Sequence, residues 1–166
     1  MKIGIISDSH DNVPNMEKAI SWMNENNIEE IIHCGDLCAP SILTAILAPQ
    51  FTGPIHMVFG NVEDRDLLSQ KVLNIKHVNH YGDLGKIELD KKKIAFIHYP
   101  DKAKKLASSG MYDLVFYGHS HKPWEEKIGK TRVVNPGTLA GLFYKATFAV
   151  YNTTTEKLEL KILEQI

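Results

Sequence analysis

The sequence predicts an α/β fold, and three observations carry that prediction. Short runs rich in Ile and Val recur along the first two thirds of the 166-residue chain. Most are separated by stretches whose apolar residues follow a helical period. Each run is followed by a polar cluster built from Gly, Asp, Asn, Ser and His, the residues that end strands and cap helices.

In chain order, Ile3-Gly-Ile-Ile6 reads as a first strand. Val13 to Asn26 follows as a helix, with Val13, Met16, Ile20 and Met23 on one stripe, Asp11 or Asn12 as cap and Pro14 in the first turn. Ile31-Ile32 reads as a strand, Ser41 to Leu47 as a short helix, Pro54 to Phe59 as a third strand and Asp64 to Lys71 as another helix. Gly82 to Ile97 has the alternation of a hairpin, turned at Asp90-Lys-Lys-Lys93. Lys102 to Ser109 reads as a helix stopped by Gly110, and Leu114-Val-Phe-Tyr117 as a buried strand. From Trp124 onward, runs near Arg132 to Val134, Phe148 to Asn152 and Leu158 to Leu163 are joined by short turns, and an antiparallel arrangement is expected. No repeat, linker or biased tract divides the chain, so one domain over residues 1–166 is expected.

Composition excludes several classes of function. Nineteen Lys and Arg against twenty Asp and Glu give a formal charge of -1. Such a surface has no general attraction for a phosphate backbone or an anionic bilayer, so no strong nucleic-acid binding and no membrane are expected. The apolar run at Ile3–Ile6 is far too short for a signal-peptide core or a membrane span, and a cytoplasmic location is expected. Cys34 and Cys38 have no second pair to make a zinc or disulfide framework, and they read as small buried residues.

Eight histidines in so short a chain demand an explanation. The segments that follow the apolar strands read Ser7-Asp8-Ser9-His10, Gly35-Asp36, Gly60-Asn61, His98 and Gly118-His119-Ser120-His121. In open α/β sheets the carboxyl ends of the strands line one edge, where residues distant in sequence converge on a ligand. Two carboxylates, one amide and four imidazoles are metal-ligand types, with no nearby Ser or Cys nucleophile that they would serve better. Seven ligands exceed one first-row ion, whereas two adjacent divalent ions sharing a carboxylate fit the count. Two such ions with two aspartates and neutral imidazoles leave a site of about +2, suited to hydroxide and an anion. Hydrolysis of a phosphate ester is the chemistry this predicts. His33, His56, His77 and His80 are given no catalytic role: the first two read as core or supporting histidines, the last two as surface loop.

These five ordered blocks resemble the calcineurin-like metallophosphoesterase superfamily, over roughly the whole chain, and Asn135-Pro-Gly-Thr138 resembles a turn of the same family. The small size is most similar to its compact prokaryotic phosphodiesterase branch. The resemblance implies an αββα two-sheet sandwich. It implies that Asp8, His10 and His121 bind one metal, that Asn61, His98 and His119 bind a second, and that Asp36 bridges them. It implies two divalent ions per chain, drawn from Mn, Ni, Fe, Co or Zn, a metal-bridging hydroxide as nucleophile and a small phosphodiester as substrate.

Two departures stand beside the matches. Many members have His directly after the Gly-Asn pair, whereas this chain has Val62, which cannot protonate a leaving group. Tyr99-Pro100 follows His98 where many relatives have Gly. Arg65 and Asn61 are the candidate phosphate contacts, Arg65 with an exposed helix-surface position as its alternative reading. Two further readings of function stay open: a phosphomonoesterase with the same two-metal site, and a non-catalytic protein-binding scaffold of the same fold, as the small retromer subunit is. A homodimer is compatible with the sequence, although no feature demands one.

Overall fold

Ile3, Ile5 and Ile6 are all sealed from solvent. Lys2–Ile6 accordingly forms β1, a central strand, in the computed structural model, which describes residues 1–166. Its alternation divides two apolar layers: Ile3 and Ile5 point to one side, Ile6 to the other. Helix α1 (Val13–Glu25) packs Met16, Ala19, Ile20 and Met23 against the Ile6 side. Asn12 caps it by accepting from the Asn15 N–H at 3.2 Å.

Strands β2 (Glu30–His33), β3 (Ile55–Met57) and β4 (Val78–His80) extend the first sheet in parallel from β1. On its other side β10 (Thr147–Asn152) and β11 (Leu158–Ile162) add antiparallel, giving the order β11-β10-β1-β2-β3-β4. The second sheet has the order β5-β6-β7-β9-β8, from β5 (Leu84–Leu89), β6 (Lys92–Ile97), β7 (Leu114–Phe116), β8 (Trp124–Ile128) and β9 (Thr131–Asn135).

Between the sheets lies one apolar layer, with Ile3, Ile5, Ile32 and Val58 from the first sheet facing Ile94, Phe96, Leu114, Phe116 and Val134 from the second. Odd residues of β6 face away: Ala95 and Ile97, with Val115 and Val133, bury against Ala103 and Ala107 of α5 (Pro100–Ser108). The layers therefore run helix, sheet, sheet, helix, as the family resemblance implies. No helix is long and apolar enough to cross a membrane.

Several local expectations are corrected. Residues 40–50 are continuously helical but irregular: α2 (Pro40–Ile42), a π-helical turn at Leu43–Leu47, then α3 (Ala48–Gln50). Pro49 lacks the N–H a regular ladder needs, and the wide turn directly precedes it. His77 lies in the turn before β4 as expected, but His80 is not surface loop. Val78–His80 is a strand, held by pairing with β3, and His80 is half-buried with its ring 4.0 Å from that of Phe59. The last third is not wholly antiparallel, because β9 runs parallel to β7. Cys34 is buried as expected, while Cys38 is only partly so. Helices α4 (Arg65–Val72), capped by Asp64, and α5 lie within two residues of their expected bounds.

Candidate metal centre

The carboxyl ends of β1, β2, β6 and β7, with the loop after β3, meet at one edge of the two sheets, and all seven candidate ligands lie there. They form two groups. In the first, His10 Nε2 and His121 Nε2 are 3.2 Å apart, and Asp8 Oδ1 is 3.2 Å from His121 Nε2. Asp36 Oδ2 is 3.6 Å from His10 Nε2, and one donor atom from each of these four residues lies within 4.8 Å of the others. In the second, Asn61 Oδ1 is 3.1 Å from His98 Nε2 and 3.0 Å from His119 Nδ1, and the two ring nitrogens are 3.3 Å apart. Asp36 Oδ2 is 3.4 Å from His98 Nε2, so the same oxygen borders both groups.

The backbone is bent to bring these atoms together. Asp8 (φ 52), His10 (φ 40), Asp36 (φ 58), His119 (φ 67) and His121 (φ 58) all occupy the left-handed region. Asp and His tolerate that region better than most residues, and such strain gathers at functional sites. Two glycines allow the close approach. A Cβ on Gly60 would stand 1.9 Å from Asp36 Oδ1, and one on Gly118 would stand 2.6 Å from Asp8 Oδ2. Backbone amides then pin the carboxylates: Asn61 N–H donates to Asp36 Oδ1 at 2.7 Å, and His119 N–H donates to Asp8 Oδ2 at 3.1 Å.

Ring orientation is fixed from behind. A carbonyl can only accept, so His98 Nδ1 carries the proton it gives to the Cys34 carbonyl at 2.8 Å, leaving the Nε2 lone pair facing the cluster. His121 Nδ1 faces the Leu142 carbonyl at 3.3 Å in the same way. Outward N–H groups bound to carbonyls are the usual support of metal-ligating imidazoles. Lone pairs of several nitrogens and carboxylate oxygens aimed at one another repel unless a cation lies among them. The donor set therefore fits divalent metal binding, with a nitrogen-rich composition that suits transition ions.

Electrostatics agree with this arrangement. Burial pushes the Asp8 carboxyl up, against the pull of His98 and His121. Asp36 is also raised by burial, but its hydrogen bond and proximity to His98 prevail and hold it down at about 2. Burial alone would lower His98, yet Asp36 outweighs it and the net shift is upward. Exposure grades across the cluster from sealed Asp8 and His98 to exposed Asn61 and His119, which sets the open mouth of the site.

Supporting residues are now visible, of which Glu63 carried no signal in the sequence. Glu63 Oε1 accepts from Leu37 N–H at 3.0 Å and its Oε2 from Gly60 N–H at 2.9 Å, tying the Asp36 and Asn61 loops together. Asn135 Nδ2 holds the Gly118 carbonyl at 2.9 Å. Cys38 Sγ lies 3.4 Å from His10 Nδ1. Arg65, a candidate phosphate contact, is instead ion-paired with Asp83 at 2.5 Å over the Phe59 ring, in keeping with its helix-surface reading. His56 is held between Tyr81 and Glu30, a supporting role as expected.

His33 is buried behind Asp36. Its Nδ1 accepts from Gly35 N–H at 3.1 Å, so its Nε2–H donates to Ser9 Oγ at 3.1 Å, and Ser9 Oγ donates weakly to the Asp36 carbonyl. Desolvation drops its pKa from 6.5 to about 3. Between those values the unfolded chain takes up a proton that the folded chain refuses, so stability falls as pH falls, by about 2 kcal/mol at pH near 5. In metal-free protein, the stability lost between pH 7 and pH 5 in urea is expected to shrink by about that amount in His33→Gln. Equal losses in parent and variant would refute the assignment.

Comparison with known proteins agrees with the geometry. A model of the calcineurin-like phosphoesterase superfamily domain matches residues 1–156. The phosphodiesterase MJ0936 of Methanocaldococcus jannaschii is 33% identical over 168 residues, covering 99% of this chain and 100% of that protein. A solved structure described as a novel archaeal phosphodiesterase superposes with a TM-score of 0.86 at 29% identity, covering 98% and 99% of the two chains. Vps29 of Entamoeba histolytica, solved with Zn²⁺, superposes with a TM-score of 0.72 over 98% and 99% of the chains at 15% identity, a likeness of fold alone. With strand-end ligand clusters, two stacked sheets and a family match over nearly its whole length, this chain belongs to the calcineurin-like phosphoesterase superfamily.

Proposed function

We propose that this chain is a divalent-metal-dependent phosphodiesterase acting on small phosphodiesters. The observation that carries the reading is the pair of donor groups meeting at Asp36 Oδ2. Asp8, His10 and His121 would hold one ion and Asn61, His98 and His119 the other, with Asp36 shared. When bound, such ions supply Lewis acidity to water and to phosphoryl oxygens. The diester preference is supported by the full-length likeness to MJ0936 and to the solved archaeal structure, each described as a phosphodiesterase.

The chain's own residues set the rest. Asp36, held down at about 2, stays ionised across the working range, and the Cys34 carbonyl holds the Nδ1 proton of His98, so that in the neutral ring Nε2 is the lone-pair nitrogen turned to the cluster. Asn61 is exposed at the mouth, where its amide is free to reach a phosphoryl oxygen. The next residue, Val62, is 44% exposed and apolar and supplies no proton to a leaving group. Esters with good leaving groups are therefore the expected substrates, and turnover should fall steeply as the leaving group becomes more basic. Val62→His is expected to raise turnover of an alkyl leaving group by roughly 10²-fold relative to a nitrophenyl one, measured as a ratio of kcat/KM values. An unchanged ratio would show that leaving-group protonation does not pass through this position.

The reading is tested by hydrolysis of an aryl phosphodiester with chelator-stripped protein, adding Mn²⁺, Ni²⁺, Zn²⁺ or Mg²⁺ back singly and a matched monoester in parallel. Activity restored by metal, with the diester faster, is the expected result. Faster monoester turnover would make the chain a phosphomonoesterase, and silence with every metal on both esters would contradict enzymatic function.

A further inference from the structure

Three consecutive large residues at the mouth of the metal centre, Leu142, Phe143 and Tyr144, are exposed by 42%, 90% and 46%. The segment is not a loose tip. The Leu139 and Ala140 amides donate to the Ser7 and Asp8 carbonyls at 2.9 and 3.0 Å, and Asn12 and Asn15 hold the Ala140 and Leu139 carbonyls from α1. Further along, the Leu142 carbonyl accepts from His121 Nδ1. The loop is thus braced against two of the candidate ligand segments.

Phe143 contributes nothing to the core. Its ring touches the His121 ring, with centroids 5.7 Å apart and planes 37° apart, and turns its remaining surface to water. Its backbone is left-handed, at φ 65, a conformation unfavourable for a bulky side chain. An exposed aromatic held in that conformation gives the fold no stability. Tyr99, on the opposite flank of the centre, differs: its ring already meets His98, His119 and the Lys102 ammonium. Phe143 therefore offers the most exposed aromatic face beside the centre, one that no neighbouring cation or second ring occupies.

We propose that Phe143 is a specificity-determining residue, a stacking platform for a flat aromatic group on the ester that is not cleaved. The inference rests on the phosphodiesterase reading and deepens it, since a diester keeps one substituent through the reaction and the loop borders the donor group at His121. The shared chemistry is a planar π-face, whether an aryl ring or a nucleobase. Stacking of one such ring changes affinity by roughly tenfold when its platform is cut to Ala.

The test compares p-nitrophenyl esters with a common leaving group and an ethyl, phenyl or thymidine 5′ substituent on the other oxygen. In Phe143→Ala the kcat/KM of the phenyl or the thymidine ester relative to the ethyl ester is expected to fall roughly tenfold. Whichever arm falls identifies the source, aryl or nucleobase. Phe143→Tyr is expected to keep the ratio. Calorimetric Kd values for phenylphosphonate and ethylphosphonate on Mn²⁺-loaded protein read the same preference without turnover. Wild-type turnover with ratios unchanged in Phe143→Ala would overturn the platform and leave the enzyme reading intact. No turnover in the parent, with phenylphosphonate still preferred and the preference lost in Phe143→Ala, would overturn the enzyme reading and keep the platform. A dimer in sedimentation that Phe143→Ala dissociates, with ratios unchanged, would assign the loop to contact between copies and overturn the proposal.

Discussion

Asp36→Ala is expected to lower kcat/KM for an aryl phosphodiester by roughly 10³-fold or more and to bring bound metal below two ions per chain, with far-UV circular dichroism unchanged. The size of the effect follows from position. Asp36 Oδ2 lies 3.6 Å from His10 Nε2 and 3.4 Å from His98 Nε2, so its loss strips both donor groups of their shared oxygen at once. Its other oxygen accepts the Asn61 N–H at 2.7 Å, and without it the Asn61 loop loses its anchor. Asp36→Asn keeps the shape but not the charge, and is expected to lose nearly as much. The fold rests on the apolar layers and not on Asp36, so the chain is expected to stay folded. Full metal occupancy with turnover within tenfold of the parent, read by elemental analysis and steady-state kinetics, would show that Asp36 is not shared.

The largest loss of stability is expected from Phe96→Ala. Phe96 is wholly buried in the layer between the sheets, and its ring meets Tyr81 edge-on with centroids 5.3 Å apart. Gly85 across the β5–β6 pair makes the room, since a Cβ there would stand 2.0 Å from the ring. Cutting a core Phe to Ala loses transfer energy and leaves a cavity, costing about 3–5 kcal/mol out of a total of about 5–15. The melting temperature should fall by roughly 10 °C. Guanidinium unfolding that shows a loss below about 1 kcal/mol would mean that the two sheets close over the vacancy.

The convergence of the candidate ligands at one sheet edge was legible in the sequence because strand ends are legible. An apolar run followed at once by Asp8 and His10, or by His119 and His121, places its polar residues at a sheet edge whatever the rest of the chain does. Order along the chain then did what no single block could. The supports were not legible, because they depend on partners far away in sequence. The Cys34 carbonyl that orients His98 lies 64 residues away from it, and Glu63 acts by bridging two loops. Phe143 carried no signal, since Leu-Phe-Tyr in a turn has no period to place it.

The misread elements share a cause. Val78–His80 has only Val78 buried, and its neighbours are polar, so pairing with β3 rather than its own pattern makes it a strand. Trp124–Ile128 is a charged edge strand, whose Glu and Lys residues suit a sheet margin open to solvent. The parallel pairing of β9 with β7 arises because β8 intervenes between them in sequence, a crossing that short turns do not announce.

The central claim is that two ions share Asp36, and anomalous diffraction from crystals soaked in Mn²⁺ tests it most directly. The account predicts two peaks at the strand ends, one among Asp8, His10 and His121 and one among Asn61, His98 and His119, each within bonding distance of an Asp36 oxygen. A single peak, or a pair in which either ion lies out of reach of Asp36, would contradict it.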